Sequence, residues 1–514
     1  MHLQKIVCFL LLTIFFNSEC RSQNHYWSQQ YGAENTLLSG AVIAGVRDNS
    51  AMYYNPAGLG FIDVPKISVS ATAYGVDLVN LKNGAGTNLD LKSNKLVIYP
   101  QIASGSLVIK KKPKFKMVYG TLIRYRTALH FEQQNTMTYK VFKALPTEGF
   151  YDARVEYDFN STGNWLGAAF AYRINEHCAI GYSQFFSYLN LQYRQSLNIT
   201  SDNKLRNMYF VASNNSNLNF IINNINAIEK IGFSYEKKVK NKDSLTFKFG
   251  LTVTMPSIKI FSKSKVYQSI ELNNLGDGTV LSLDTIKSVS SILNNSNSNI
   301  KTNYKEAAAI GLGMEFEGKK FRVCFAAEYF IAVKEYNLIK DNSLTVKRPV
   351  ISNSPEYITD FMTVRQSNNH IVNVAIGAEY KFPDKIKKND RVISWSILAG
   401  ARTDFNNHDI RYKKVKEVKG SQEAFNPDNW RYLHFSLGAS FDRKTDKLSF
   451  GIDYGLGITN RTLQAVNITE PDAQNYLLGI RQNTVIPKIH SISLVMGYTY
   501  KFNKTDKIMN MRPL

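Results

Sequence analysis

Arg124 and Arg126 stand two positions apart in Phe-Lys-Met-Val-Tyr-Gly-Thr-Leu-Ile-Arg-Tyr-Arg, residues 115–126. Side chains of an extended strand alternate between its faces, so the spacing puts both guanidinium groups on one face. Two such forks can hold a carboxylate through parallel hydrogen bonds, and a carboxylate is what an anionic amphiphile offers. They make Arg124 and Arg126 candidate ligand-binding residues. The same arginines also suit pairing with acids such as Asp453, Glu379, Glu315, Glu328 or Asp48, and both readings stay open. Other chemistry is hard to find. There is no P-loop, no zinc-type His/Cys spacing and no Gly-x-Ser-x-Gly elbow, so neither a cofactor nor a metal is expected. A hydrolase or acyltransferase would need a Ser or His dyad, and His130 and His490 have no recognisable partner. The eight His are scattered, and hydrogen bonding is the expectation for each. The chain reads as a non-enzyme.

What must position the arginines follows from composition and hydropathy. The 514 residues carry 63 Lys and Arg against 41 Asp and Glu, a net charge of +22, with 12% aromatic residues and a mean hydropathy of −0.25. The 29 Tyr and 30 Phe exclude a disordered basic tail. Lys5 precedes the apolar run 6–16, and Cys20-Arg21-Ser22 follows as a small-x-small cleavage site. Residues 1–22 therefore read as a signal peptide. Nothing after Phe16 is apolar for 18 residues, which leaves an exported soluble protein or a membrane β-barrel.

Strand periodicity favours the barrel. Leu448, Phe450, Ile452, Tyr454, Leu456 and Ile458 alternate with Ser449, Gly451, Asp453, Gly455, Gly457 and Thr459. The same period-two pattern recurs at 433–441, 372–382, 308–316 and, closing on aromatics, 490–502. Fourteen strands are expected, beginning near residues 66, 101, 115, 163, 178, 227, 245, 304, 321, 370, 391, 432, 447 and 488. Tight turns alternate with long loops near 82–100, 135–154, 201–226, 273–303, 340–369, 408–431 and 469–487. This is the layout of short periplasmic turns and long external loops, with a basic tail at 503–514. Cys178 and Cys324 fall on the fifth and ninth strands, too far apart to bridge, and are expected as free thiols. Lysines crowd the turns at 110–116, 237–242, 319–320 and 385–388. In an exported barrel their partners are anionic lipid or an acidic periplasmic protein, with nucleic acid excluded.

Residues 43–60 read Ile-Ala-Gly-Val-Arg-Asp-Asn-Ser-Ala-Met-Tyr-Tyr-Asn-Pro-Ala-Gly-Leu-Gly, and the first strand follows directly. The segment is a turn by residue type: Pro56 fixes φ and Asn55 bonds its own backbone. Between a signal peptide and a barrel, it resembles the FadL/TodX family of outer-membrane transporters for long-chain fatty acids and other hydrophobic compounds. The resemblance implies an all-β fold, a 14-stranded antiparallel transmembrane barrel at 66–502, with residues 23–65 as a luminal hatch carrying the motif Asn55, Pro56, Ala57 and Gly58. It implies passive uptake of fatty-acid-like molecules through a hatch-gated lumen in the outer membrane, with sideways exit beside a kinked strand. Barrels similar to this family also serve as non-transporting subunits of secretion machinery, type nine secretion included, so protein partners are the alternative expectation.

Overall fold

The computed structural model describes residues 25–108, 112–143, 145–205, 208–239, 245–275, 291–348, 355–359, 361–383, 385–387, 391–406 and 430–502. The expected signal peptide at 1–22, the tail at 503–514 and most of the loop at 408–431 lie outside them, as do several turn lysines. Among the described residues no helix is long and apolar enough to cross a membrane.

Fourteen antiparallel strands close into a barrel. They are β1 (Lys66–Gly86), β2 (Leu89–Val108), β3 (Phe115–Tyr139), β4 (Gly149–Arg173), β5 (Cys178–Leu205), β6 (Met208–Lys238) and β7 (Thr246–Thr254). The second half runs β8 (Ala309–Glu317), β9 (Phe321–Phe330), β10 (Ile371–Lys381), β11 (Arg391–Asp404), β12 (Arg431–Arg443), β13 (Asp446–Ile458) and β14 (Ile486–Lys501). The last strand pairs with the first from Lys66↔Lys501 to Lys82↔Ile486, so no edge is left open. Cys178 and Cys324 are both free thiols.

Side-chain alternation sets which face meets lipid. On β13 Leu448, Phe450 and Ile452 are exposed, whereas Ser449 and Asp453 are buried. On β8 Ile310, Leu312, Met314 and Phe316 are exposed and Glu315 is buried. An apolar outer wall around a polar interior is the arrangement of an outer-membrane barrel, and this is one.

The expected strand starts hold to within about two residues for β9 to β14, whereas β8 begins later than expected, at Ala309, and β2, β4 and β6 begin well before their expected positions. The stretches 82–100, 135–154 and 201–226, expected as loops, mostly continue the strands. The β5–β6 ladder runs unbroken from Cys178↔Tyr235 to Leu205↔Met208. Asn- and Ser-rich composition was read as loop; here it is the polar surface of paired arms whose backbone bonds are satisfied between strands. β7 ends at Thr254, because Pro256 lacks the N–H a ladder needs. The chain then resumes as Ile258–Asn273, paired to the upper half of β6, and Ser291–Ile300 pairs with that arm.

Residues 25–62 lie inside the barrel as α1 (Ala33–Leu37), α2 (Ala51–Tyr54) and a 3-10 turn (Pro56–Phe61). Inward glycines make room for this segment. A Cβ on Gly250 would sit 2.3 Å from the Ile43 carbonyl oxygen, and one on Gly181 2.3 Å from the Pro56 carbonyl carbon. Gly377 and Gly400 cradle Leu38 in the same way. One apolar cluster joins the segment to the barrel wall through Tyr53, Tyr125, Trp165 and Phe330. A second fills the space between the upper arms, where Phe142, Tyr151, Ile339, Phe361 and Val466 are all buried.

Candidate functional site

The Asn-Pro-Ala-Gly motif is bolted to the wall. Asn55 is fully buried; its Oδ1 accepts from the Ala57 N–H at 3.1 Å, and its Nδ2 donates to the Ile43 and Phe233 carbonyls at 2.9 and 3.0 Å. Pro56 opens the 3-10 turn, where no N–H is required. Ala57 is buried, and at Gly58 a Cβ would come 2.5 Å from the Val46 carbonyl oxygen. The motif thus joins two parts of the N-terminal segment to β6.

The two candidate arginines do not share a face. The β3–β4 register shifts between Ile123 and Tyr125, a bulge that sets Arg124 and Tyr125 both inward. Parity beyond that point is the reverse of the sequence expectation: Leu129 and Phe131 are buried instead of lipid-facing. Arg124 donates to the Tyr26 carbonyl, and its guanidinium lies 5.2–5.9 Å from the ring centres of Tyr26, Tyr53, Tyr125 and Trp165. None of the acids considered above is bonded to it among the described residues; Glu328 takes the Trp27 indole at 2.7 Å, and Asp453 takes Arg402. Tyr125 instead reaches Glu306 at 2.8 Å.

Arg126 occupies a split in the wall. β2 and β3 pair from Ile102↔Leu122 to Val108↔Lys116, and above this β2 pairs with β1 alone while β3 pairs with β4 alone. Across the split Arg126 donates to the Ile98 carbonyl at 3.2 Å, and its guanidinium stacks 4.9 Å from the Tyr99 ring. Behind it lies a cavity of about 80 Å³ lined by Val79, Val97 and Leu129 but also by Gln29, Asp77, His434 and Asp453. A second cavity, of about 20 Å³, abuts Arg124 between Phe185 and Phe330. A third, of about 210 Å³ and strongly polar, opens between the N-terminal segment and β1, β13 and β14 near the turn end.

Solved structures share this architecture at low identity. A Pseudomonas aeruginosa FadL homologue is 12% identical and covers 94% of this chain and all of its own length, with a TM-score of 0.51. The fold is that of the FadL/TodX outer-membrane transporters. The P. putida toluene transporter TodX is 14% identical with a TM-score of 0.49 over 92% of this chain and 99% of its own. The CymD monoaromatic hydrocarbon channel, 12% identical, covers 92% of this chain and 97% of its own at 0.45. No family model and no curated protein matches the sequence.

Within this FadL-like lumen, buried ion pairs hold the N-terminal segment at two levels. Near the turn end Glu34 meets Lys447 and Arg322, and Arg322 also meets Glu315 at 3.1 Å. Burial alone would raise the Glu34 pKa, but Lys447 and then Arg322 outweigh it and hold the carboxyl well below the usual carboxylate range. Higher up, Arg402 grips Asp453 through two bonds of 2.7 and 2.8 Å and donates to the Trp27 carbonyl at 3.1 Å. Asp404 accepts from the Trp27 N–H at 2.8 Å and the Ser28 hydroxyl at 2.6 Å. Lys230 donates to the Tyr53 carbonyl at 2.9 Å. Sequence reading missed Arg402, Asp404, Lys230 and Glu306; for Arg402 and Asp404 the available signal was a charged residue within an otherwise apolar alternating strand.

Proposed function

We propose that the chain is a passive outer-membrane channel for hydrophobic or amphiphilic molecules, fatty-acid-like ligands among them, with the N-terminal segment acting as its hatch and seal. The observation that carries this reading is the split between β2 and β3, with a cavity of mixed polar and apolar lining directly behind it and Arg126 across it. Ligand would leave sideways there, into the membrane, and Arg126 would meet an acidic headgroup as the tail passes Tyr99. The solved FadL homologue lends support through shared architecture. No catalysis is part of the proposal. The test is cross-linking across the split: a bismaleimide bridge between Ile98→Cys and Arg126→Cys should abolish uptake of an uncharged apolar ligand by cells, while either single variant retains it. Unchanged uptake in the bridged protein would refute the side exit.

One observation favours a second reading, a non-transporting subunit of a secretion or assembly complex. The upper lumen is filled by a continuous apolar cluster from the arms and loops, and the cavity behind the split is too small for an acyl chain without rearrangement. Gentle detergent extraction followed by mass spectrometry of lipids and proteins separates the two. Bound apolar ligand without stoichiometric protein supports the channel, and stable protein partners with an empty barrel support the subunit.

A further inference from the structure

The cavity behind the β2–β3 split is faced by two buried polar groups that no described residue answers. Gln101 of β2 is 3% exposed, and its Oε1 has no hydrogen-bond partner among the described residues; its Nε2 donates to the Thr72 hydroxyl at 3.4 Å. Trp430, just before β12, is 4% exposed, and its indole N–H is likewise without a partner among them. Both side chains line the same space of about 80 Å³. A buried donor or acceptor left without a bond is costly, and folded proteins keep few of them. An acceptor from one strand and a donor from a distant one, turned into a single cavity, make the polar end of a ligand site.

Other polar groups of the lining are already engaged. Tyr99 donates to Gln29 at 2.7 Å, Asp77 accepts from the Ser491 hydroxyl at 2.7 Å, and Asp453 is held by Arg402. Arg126 lines the space too, but the Ile98 carbonyl and the Tyr99 ring engage its guanidinium at the mouth. The pattern selects the ligand's polar end, which must donate to Gln101 and accept from Trp430. A hydroxyl does both with one oxygen. A carboxylate has no proton to give, sets a second acceptor against Gln101 and stands near Asp77 and Asp453. An ammonium donates only. Beside the polar groups, Val79, Val97 and Leu129 leave room for a few carbons.

We propose that Gln101 and Trp430 form a hydroxyl subsite, and that the ligands of this barrel are amphiphiles bearing an alcohol or phenol group. The statement about ligands rests on the channel reading above; the subsite itself does not. A site built to hydrogen-bond a hydroxyl rejects an analogue that cannot donate, because its own buried groups are then left unpaired. An amphiphile that carries an acid as well as a hydroxyl uses Arg126 at the split and the cavity behind it together. The sequence hides the subsite because β2 and the segment before β12 are far apart in the chain and are not neighbours in the wall.

The test is calorimetric titration of the detergent-purified full chain with hexan-1-ol, with its methyl ether and with hexanoate, the heat of detergent alone being subtracted. The proposal expects saturable binding of one hexan-1-ol per chain, at least about tenfold tighter than either analogue and weakened at least about fivefold in both Gln101→Met and Trp430→Phe. Trp430 lies outside the barrel ladders, so Trp430→Phe remains informative if Gln101→Met fails to fold. Absence of saturable binding, which would leave water alone to answer the two groups, would overturn the subsite. So would equal affinity for the alcohol and its ether, or unchanged affinity in Trp430→Phe. Uptake of labelled dodecan-1-ol by cells separates the subsite from the channel: specific binding without uptake refutes the channel and leaves the subsite, whereas uptake with equal affinity for alcohol and ether does the reverse.

Discussion

Replacing Asn55 by alanine tests whether the motif holds the N-terminal segment in place. The substitution removes the bond from the Ala57 N–H and the bonds to the Ile43 and Phe233 carbonyls, all at a fully buried position. Each is worth about 1 kcal/mol net, and stranding a buried partner adds to that, so local docking should weaken by about 3–4 kcal/mol. At about 1.4 kcal/mol per decade, the open population rises about 10²- to 10³-fold. The barrel should stay intact, because its ladders do not include Asn55. Hydrogen exchange resolves the two effects. Amides of 55–62 should exchange about 10²- to 10³-fold faster in Asn55→Ala, while those of β12 and β13 are unchanged. Asn55→Asp, which keeps the acceptor for Ala57 but turns a carboxylate oxygen toward the Ile43 and Phe233 carbonyls, should weaken docking at least as much. Protection of 55–62 equal to wild type would refute the reasoning and leave the motif as an ordinary turn.

Three shorter predictions follow. Gly232→Ala would place a Cβ 2.2 Å from Asn55 Oδ1 and should displace the motif as Asn55→Ala does, seen as faster exchange at 55–62 with unchanged heat-modifiable migration of the barrel. Glu34 has a depressed pKa when docked, so its contribution is full above the usual carboxylate range and lost as pH falls below that range through its docked value. Protease protection of the N-terminal segment should therefore drop across that window, and Glu34→Gln should weaken protection at pH 7 and remove that component of the acid dependence. Arg126→Ala, which loses the contact across the split, should lower uptake of an anionic amphiphile relative to an uncharged apolar ligand in competitive uptake assays, without changing barrel stability; equal effects on both would argue against a headgroup contact.

The barrel was legible because a wall between lipid and lumen imposes one rule on every strand. Leu448, Phe450 and Ile452 follow it, and so do Ile310, Leu312 and Met314. The arms obey a weaker rule: outside the membrane nothing demands an apolar face, so the Asn- and Ser-rich run 213–226 looked like loop although every residue is laddered to β5. Arg126 was misplaced for a different reason. A single-residue bulge reverses all later parity, and the local sequence Ile-Arg-Tyr-Arg contains no Gly or Pro to announce it. The ion pairs that hold the N-terminal segment were illegible because each joins positions far apart in the chain, Glu34 to Lys447 among them.

The placement of the cavities bears on how such a barrel could conduct without leaking. The space behind the split is bordered by Gln29 and Gln30, so it lies against the N-terminal segment on the arm side, while the polar cavity near the turn end is lined by Glu34, Asp48 and Lys66 of the opposite side. Between them stand the Arg124 aromatic cage and the Arg402 to Asp453 pair. Separating a buried pair of that kind costs about 3–5 kcal/mol when one partner is left uncompensated. A route straight down the lumen would have to break several such contacts together. A route that turns sideways between β2 and β3 would break the Arg126 to Ile98 contact, the His130 to Ser93 bond and the Gln133 to Asp90 bond at 2.9 Å, all at the partly solvated edge of the arms. On the channel reading proposed above, the side route is thus the one that disrupts the fewer buried contacts.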